Sequence, residues 1–329
     1  MKNIRLEVME AIEPMIDGYM NEFLIPPDEI WQPTDLLPNS ESENFMDEVE
    51  QLRGEAQELG YDFWVTLVAD TITEEALPTY ESWLMDVEGI NQHEGKNNGW
   101  SRWVRAWTAE ENRHGDVLNK YLYLSGRVNM REVEISTQYL ISDGFDIGTD
   151  RDPYKNFVYT TFQELATNIS HKRVGKLARK KGNILLGKMC GIIAGDEMRH
   201  HLAYREFVKT ILGHDPDGMV LAFAEMMKKK IVMPAHFLRE SGGMIGAAFE
   251  NFSICAQRLG VYTAMDYIDI LKKLNTYWEI GSLRSLSAEA EKARDYLMNL
   301  PDRLERIATR MRYPEDRYRF SWIQANGTL

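Results

Sequence analysis

An all-α fold, a helical bundle with a polar centre, is predicted by two features of the sequence. From about residue 46 to 285, apolar residues recur mainly at three- and four-residue intervals, and the alternation of a half-buried strand is scarce. Two of the apolar stripes are each interrupted by a glutamate and a histidine in slots that face inward.

Composition agrees with a folded body and narrows what it does. Of 329 residues, 44% are apolar and 27% charged, with 11 prolines, enough for a sizeable core. The net charge of -13 argues against a general nucleic-acid binder, because neutralising phosphates needs a surplus of Lys and Arg. No window approaches the roughly 18 uninterrupted apolar residues of a spanning helix, and the charged opening MKNIRLEVMEAIEPM does not read as a signal peptide. A cytosolic protein is expected. Cys190 and Cys255 form no close-spaced pair and are expected to be reduced and structural.

In chain order, residues 1–45 mix short helical patterns with turn residues (Pro26-Pro27, Pro33, Pro38), as a strap over a bundle would. Residues 46–285 carry the bundle, with breaks at Gly89 to Asn98, Ser142 to Pro153, Gly182, Gly213 to Gly218 and Ser241 to Gly246. Residues 286–329 add C-terminal helices and a tail on the same domain. There Ser287 caps a helix expected to end before Pro301, a second helix runs from Asp302 to about Arg312, and the tail after Pro314 is irregular.

One interrupted stripe reads Trp100, Trp103, Trp107, Glu111, His114, Leu118, Tyr121, and the other Leu186, Met189, Ile193, Glu197, His200, Tyr204, Phe207. Buried carboxylates are rare unless paired or bound to metal. Residues three apart on a helix lie about 4.5 Å apart along its axis and about 60° apart around it, so one ion can touch both members of Glu-x-x-His. Each motif has an upstream partner, because Thr71–Ala76 resembles Thr161–Ala166 and brings Glu74 and Glu164 into correspondence. Glu74 to Glu111 is 37 residues and Glu164 to Glu197 is 33, each long enough to run half a helix, turn and return to the same level. The result is one glutamate from each of two helices and Glu-x-x-His from the other two. That is the dinuclear carboxylate arrangement of ferritin-like four-helix bundles, here with additional helices. Four carboxylates balance two divalent ions, and oxygen-rich donors with two imidazoles favour iron or manganese, iron first. No organic cofactor is expected.

Other readings bear on single residues. Thr108-x-x-Glu111 matches a capping box, but the stripe from Trp100 puts Glu111 in mid-helix. His201 rivals His200 and Glu75 rivals Glu74; the internal repeat selects His200 and Glu74. Pro78 lacks the N–H that the Glu74 carbonyl would accept, so a kink is expected there. Thr167, one turn beyond Glu164, turns its hydroxyl either into the metal cavity or onto its own backbone. Asp196 is placed to orient His114, and Glu110 by pseudo-symmetry His200. The basic runs Lys172, Arg173, Lys176 and Lys228, Lys229, Lys230 are either helix-end stabilisation or docking patches for an acidic partner.

These residues, with TEEALPTY (73–80), WTAEENRHGD (107–116), LNKYLYLSGRV (118–128), DEMRHHLAY (196–204), DPDGMVLAFAEMMKKKIVMPAH (215–236), QRLGVYTAMDYIDIL (257–271), WQPTDLLP (31–38) and FSWI (320–323), closely resemble the soluble acyl-acyl carrier protein desaturases. The resemblance implies six iron ligands at Glu74, Glu111, His114, Glu164, Glu197 and His200, two iron ions per chain and O2 as co-substrate. It also implies a homodimer that removes two hydrogens from a saturated chain carried on acyl carrier protein, with electrons from a ferredoxin-type donor. By the same resemblance Thr167 takes part in oxygen activation, and Trp31, His114 and Asp196 form an electron path.

There are departures from the family pattern. Plant members carry a plastid transit segment not seen here, so a bacterial cytoplasmic protein or a mature stromal form is expected. Ile25 and Glu29 stand where plant members have lysines. Trp83 is bulky for an acyl-cavity wall and is read either as that wall or as a core or dimer-interface tryptophan. A di-iron hydroxylase or a ribonucleotide reductase-like subunit would share the ligands without the outer motifs, and a ferritin-like iron store would be shorter.

Overall fold

The structure, a computed structural model, describes residues 4–90, 98–312, 314 and 318–324. Among them the regular elements are helices and short 3-10 turns, with one isolated bridge between Val128 and Ile323. Most of the break expected at Gly89 to Asn98 and much of the tail after Pro314 lie outside the described residues. Among the described residues, no helix is long and apolar enough to cross a membrane.

Helices α1 (Ile4–Ile12) and α2 (Ile16–Phe23) lead into an irregular strap, and α3 (Phe45–Ala56) precedes the bundle. The bundle is formed by α4 (Tyr61–Glu75), continued past a break by α5 (Leu77–Met85), with α6 (Gly99–Ser125), α8 (Pro153–Lys180) and α9 (Ile184–His214). Helix α7 (Met130–Asp143) packs on α4, while α10 (Pro216–Lys229), α11 (Phe249–Leu259), α12 (Ala264–Tyr277) and α13 (Ala288–Ala308) wrap the outside. The breaks at residues 57–60 and 126–129 were not marked by the sequence pattern, although Gly126 caps α6 with φ 63°.

Helix α6 starts where the Asn98 side chain accepts the Ser101 N–H at 2.8 Å, so Glu111 is indeed in mid-helix. Helix α8 is buried without interruption from Pro153 to Ala166, because α1, α9, α10 and α12 surround it. Its polar residues are tolerated by bonding back: Thr160 donates to the Asn156 carbonyl at 3.0 Å and Thr161 to that of Phe157 at 2.6 Å. A Cβ on Gly175 of α8 would lie 3.2 Å from the Gly187 carbonyl oxygen, so glycine lets α8 and α9 close on each other. One end of the bundle is an aromatic plug, with Trp103 and Phe207 rings 4.9 Å apart and Trp100 and Phe157 5.1 Å apart. Helix α1 seals it, since Trp100 donates its indole N–H to the Met9 carbonyl at 3.0 Å.

The expected kink at Pro78 is a full break at Ala76, after which the chain restarts as α5. Helix α6 passes so close to that break that a Cβ on Gly115 would lie 3.1 Å from the Glu74 carbonyl oxygen.

The expected helix end before Pro301 is overturned: α13 runs through it to Ala308. Proline there removes the N–H that the Leu297 carbonyl would accept, but the Asn275 side-chain amide on α12 donates to that carbonyl at 2.9 Å. Asn275→Ala should therefore cost about 1–3 kcal/mol in denaturant unfolding. In a Pro301→Ala background, where the helix supplies its own donor, the same substitution should cost clearly less. Equal costs in both backgrounds would disprove the compensation.

Candidate metal centre

Glu74 stands in the last turn of α4, Glu111 and His114 in the middle of α6, Glu164 on α8, and Glu197 and His200 on α9. They form two donor groups, one of Glu74, Glu111, His114 and Glu197, the other of Glu111, Glu164 and His200, with donor atoms in each group within 4.8 Å of one another. Glu111 belongs to both, so the groups are adjacent. His114 Nδ1 is 3.2 Å from Glu111 Oε2 and 3.1 Å from Glu197 Oε1. His200 Nδ1 is 2.5 Å from Glu111 Oε1 without the alignment of a hydrogen bond.

The residues fit a cation by their own accounting of polar atoms. His114 Nδ1, His200 Nδ1, Glu111 Oε1 and Glu164 Oε2 are all buried without a hydrogen-bond partner, and all face the same space. Folded proteins rarely leave such atoms orphaned.

Each histidine turns its other nitrogen outward. His114 Nε2 is 3.2 Å from Asp196 Oδ2, and His200 Nε2 is 3.0 Å from Glu110 Oε2, so both expected orienting carboxylates are in place. A proton on Nε2 leaves the inward Nδ1 lone pair free for a metal. Trp31 donates its indole N–H to Asp196 Oδ2 at 2.8 Å and stacks parallel to His114 at 6.2 Å between ring centres.

Burial disfavours every charge here. It pushes Glu164 and Glu197 up, and neighbouring carboxylates add to the rise. Against the same penalty Glu111 is held low by His114 and His200, and Glu74 falls to about 2 beside His114 and His171. In return the carboxylates raise both imidazoles well above their usual range despite burial.

The rivals have other partners. The His201 ring is tied to the Thr161 carbonyl at 2.8 Å, and burial draws it down to about 4. Glu75 accepts both hydrogen bonds of its pair from the Asn119 amide at 2.8 Å. The Thr167 hydroxyl is within reach of both the Glu164 carbonyl, at 3.0 Å, and the Glu197 carboxylate, and its one proton can be donated to either.

A cavity of about 730 Å³ begins at Glu74, Glu111, Glu197 and Thr167. Its walls are mainly apolar, among them Leu77, Tyr80, Phe162, Met233, Phe249 and Tyr267. The exposed lining residues, Lys228, Lys229, Lys230, Ile307 and Met311, mark the mouth. Trp83 does not line it, which corrects that expectation. The break at Ala76 presents Leu77 and Tyr80 to the cavity, and Trp83 packs edge-on against Tyr159 with ring centres 5.7 Å apart. Lys172 and Lys176 are exposed, but Arg173 is committed to both oxygens of Asp266 at 2.6 Å and is not a free docking cation.

Two participants were missed. His171 Nε2 lies 2.9 Å from Glu74 Oε1, and its place seven residues after Glu164, on the same helix face, was the available sign. Arg199 donates at 2.7 Å to both Glu110 and Asp196 and at 2.5 Å to the Phe23 carbonyl. An arginine just before the histidine of each motif, Arg113 and Arg199, was visible in the sequence; the bridging by Arg199 was not.

Comparison with known proteins places this geometry. A family model described as fatty acid desaturase matches residues 4–324. The chain is 48% identical to stearoyl-[acyl-carrier-protein] 9-desaturase 5, chloroplastic, of Arabidopsis thaliana over 97% of its own length and 81% of the relative's. It is 48% identical to the stearoyl-[acyl-carrier-protein] 9-desaturase of Ricinus communis over 93% of its length and 77% of the relative's. The fold is similar to the crystal structure of DesA2 of Mycobacterium tuberculosis, described as an acyl-ACP desaturase, with TM-score 0.53 and 17% identity over 87% of this chain and 99% of that one.

Because the raised imidazoles hold protons that a metal must displace, titrating metal-free protein with a divalent ion at neutral pH should release protons. The same shift gives a sign for stability: the imidazole contribution is full below about pH 6.5 and is lost as pH rises through the raised folded values. The melting temperature of metal-free protein should therefore fall on the alkaline side, and metal should remove that fall. Metal binding without proton release, followed in weak buffer with a pH indicator, would contradict this picture.

Proposed function

Since the chain belongs to the fatty acid desaturase family, we propose that it is an acyl-acyl carrier protein desaturase. A saturated acyl chain on its carrier, O2, two electrons and two protons give the cis-unsaturated chain and two waters. The observation that carries this reading is the apolar cavity that starts at Glu74, Glu111, Glu197 and Thr167 and opens to solvent, because an acyl chain needs such a dry passage to the donor groups.

In this reading Glu74, Glu111, His114, Glu164, Glu197 and His200 hold two iron ions, with Glu111 serving both donor groups. Iron supplies the activation of O2 that an unactivated C–H bond requires. The protein supplies position. Leu77 and Phe162 guide the chain past the donors and exclude water, and the Thr167 hydroxyl offers a proton-bearing group beside Glu197 where oxygen chemistry takes place. Half-buried Trp31, joined through Asp196 to His114, provides the entry for electrons from a ferredoxin-type donor. Exposed Lys172 and Lys176 offer contacts to an acidic carrier protein, and the active form is a homodimer.

Iron-loaded protein supplied with reduced ferredoxin, O2 and a panel of acyl carrier proteins should yield an acyl product lighter by two hydrogens. Mass spectrometry that finds only unchanged or hydroxylated chains on every carrier would refute the proposal.

A further inference from the structure

A line of oxidisable rings runs from the donor groups to the surface. Trp107 donates its indole N–H to Glu164 Oε1 at 3.1 Å, and its ring centre lies 6.3 Å from that of His200. Tyr204 of α9 bridges it to Trp103, one turn earlier on α6, with ring centres 6.3 and 5.7 Å away. Phe207 then touches both Trp103, at 4.9 Å, and Tyr19 of α2, at 5.2 Å. Trp107, Tyr204 and Trp103 are buried, whereas Tyr19 is half-buried and pairs its hydroxyl with Thr210 Oγ1 at 2.8 Å.

Packing alone does not account for these residue types. Buried indole N–H and phenol O–H groups ordinarily find a partner. Here Trp103 Nε1 and the enclosed Tyr204 hydroxyl face each other without the alignment of a hydrogen bond. Poorly paired polar atoms in a core are costly, and phenylalanine or leucine would fill the space without them. What indole and phenol add is the ease with which they give up an electron.

We propose that Trp107, Tyr204, Trp103 and Tyr19 form a discharge route, through which a metal centre oxidised by O2 in the absence of an acyl chain draws electrons from the surface. The inference rests on the di-iron, O2-dependent reading above and goes beyond it. In desaturation O2 takes two electrons from the donor protein and two from the acyl chain. Without the chain, the second pair comes through the rings, one electron at a time. Each electron leaves Tyr19, passes the Phe207 contact and moves inward through Trp103, Tyr204 and Trp107. The phenol proton leaves by the Thr210 hydroxyl to water, and the tyrosyl radical is reduced by the ferredoxin-type donor or by a thiol. With four protons taken up at the site O2 ends as two waters, and no side chain is consumed. The Glu164 carboxylate steadies Trp107 while it is oxidised. Tyr204, which has no aligned acceptor for its proton, serves only in passing, so the radical settles on Tyr19.

The test takes iron-loaded full-length protein, reduced and freed of excess reductant, mixes it with O2 without acyl carrier protein, and freezes it for electron paramagnetic resonance. Wild type should show a tyrosyl radical, assigned to Tyr19 by its loss in Tyr19→Phe. That signal should also be lost in Trp103→Phe and return in Trp103→Tyr, where the ring is again oxidisable; a packing role would not separate these two variants. After repeated cycles, peptide mass spectrometry should find several-fold more oxygen added to Trp107 and its neighbours in Trp103→Phe than in wild type. No radical in wild type, a signal undiminished in Tyr19→Phe or Trp103→Phe, a Trp103→Tyr variant as silent as Trp103→Phe, or equal oxidative damage in Trp103→Phe and wild type overturns the proposal. Wild type that binds no iron or leaves O2 unconsumed instead sinks the di-iron reading, and this inference falls with it.

Discussion

The cost of burying charge organises this molecule. Four glutamates and two histidines meet inside a bundle where Glu164, Glu197, His114 and His200 are almost wholly shielded from solvent. Each unpaired ion removed from water costs several kcal/mol even after the protein relaxes. Cations between the carboxylates would offset that cost. Three of the four helices that form it, α6, α8 and α9, are the longest among the described residues, and the rest of the fold supports their alignment.

That support reaches outward by hydrogen bonds. Asp196 and Glu110 hold the outer nitrogens of the two histidines, and the Arg199 guanidinium holds both carboxylates. The strap then closes over this layer through the Phe23 carbonyl, the Ile25 N–H, which donates to Glu110 at 2.6 Å, and the Trp31 indole. A movement of the strap is thus felt by both histidines. On the opposite side Glu74 is steadied by His171, while the break at Ala76 turns Leu77 and Tyr80 toward the cavity. Metal support and cavity shape come from the same stretch of chain.

What the sequence made legible follows from the range of the interactions involved. Glu-x-x-His is set by helical geometry within one turn, and the internal repeat carried Glu74 and Glu164 with it, so the convergence of all six residues could be read before any coordinates. Features that depend on distant partners could not. The continuity of α13 through Pro301 rests on Asn275, and the engagement of Arg173 rests on Asp266, each supplied by α12. Which of its two readings Trp83 takes could not be told, because its direction is set by how α5 restarts after the break, which no spacing rule reports.

The central claim is that the six residues form two metal positions sharing Glu111. Its most direct test is iron content after anaerobic loading and removal of loose metal, measured for wild type, His200→Ala and Glu111→Ala with retained helical content as the control for folding. Two ions per wild-type chain, about one in His200→Ala and a loss at both positions in Glu111→Ala are predicted. One ion or none in wild type, or two retained in Glu111→Ala, would contradict it.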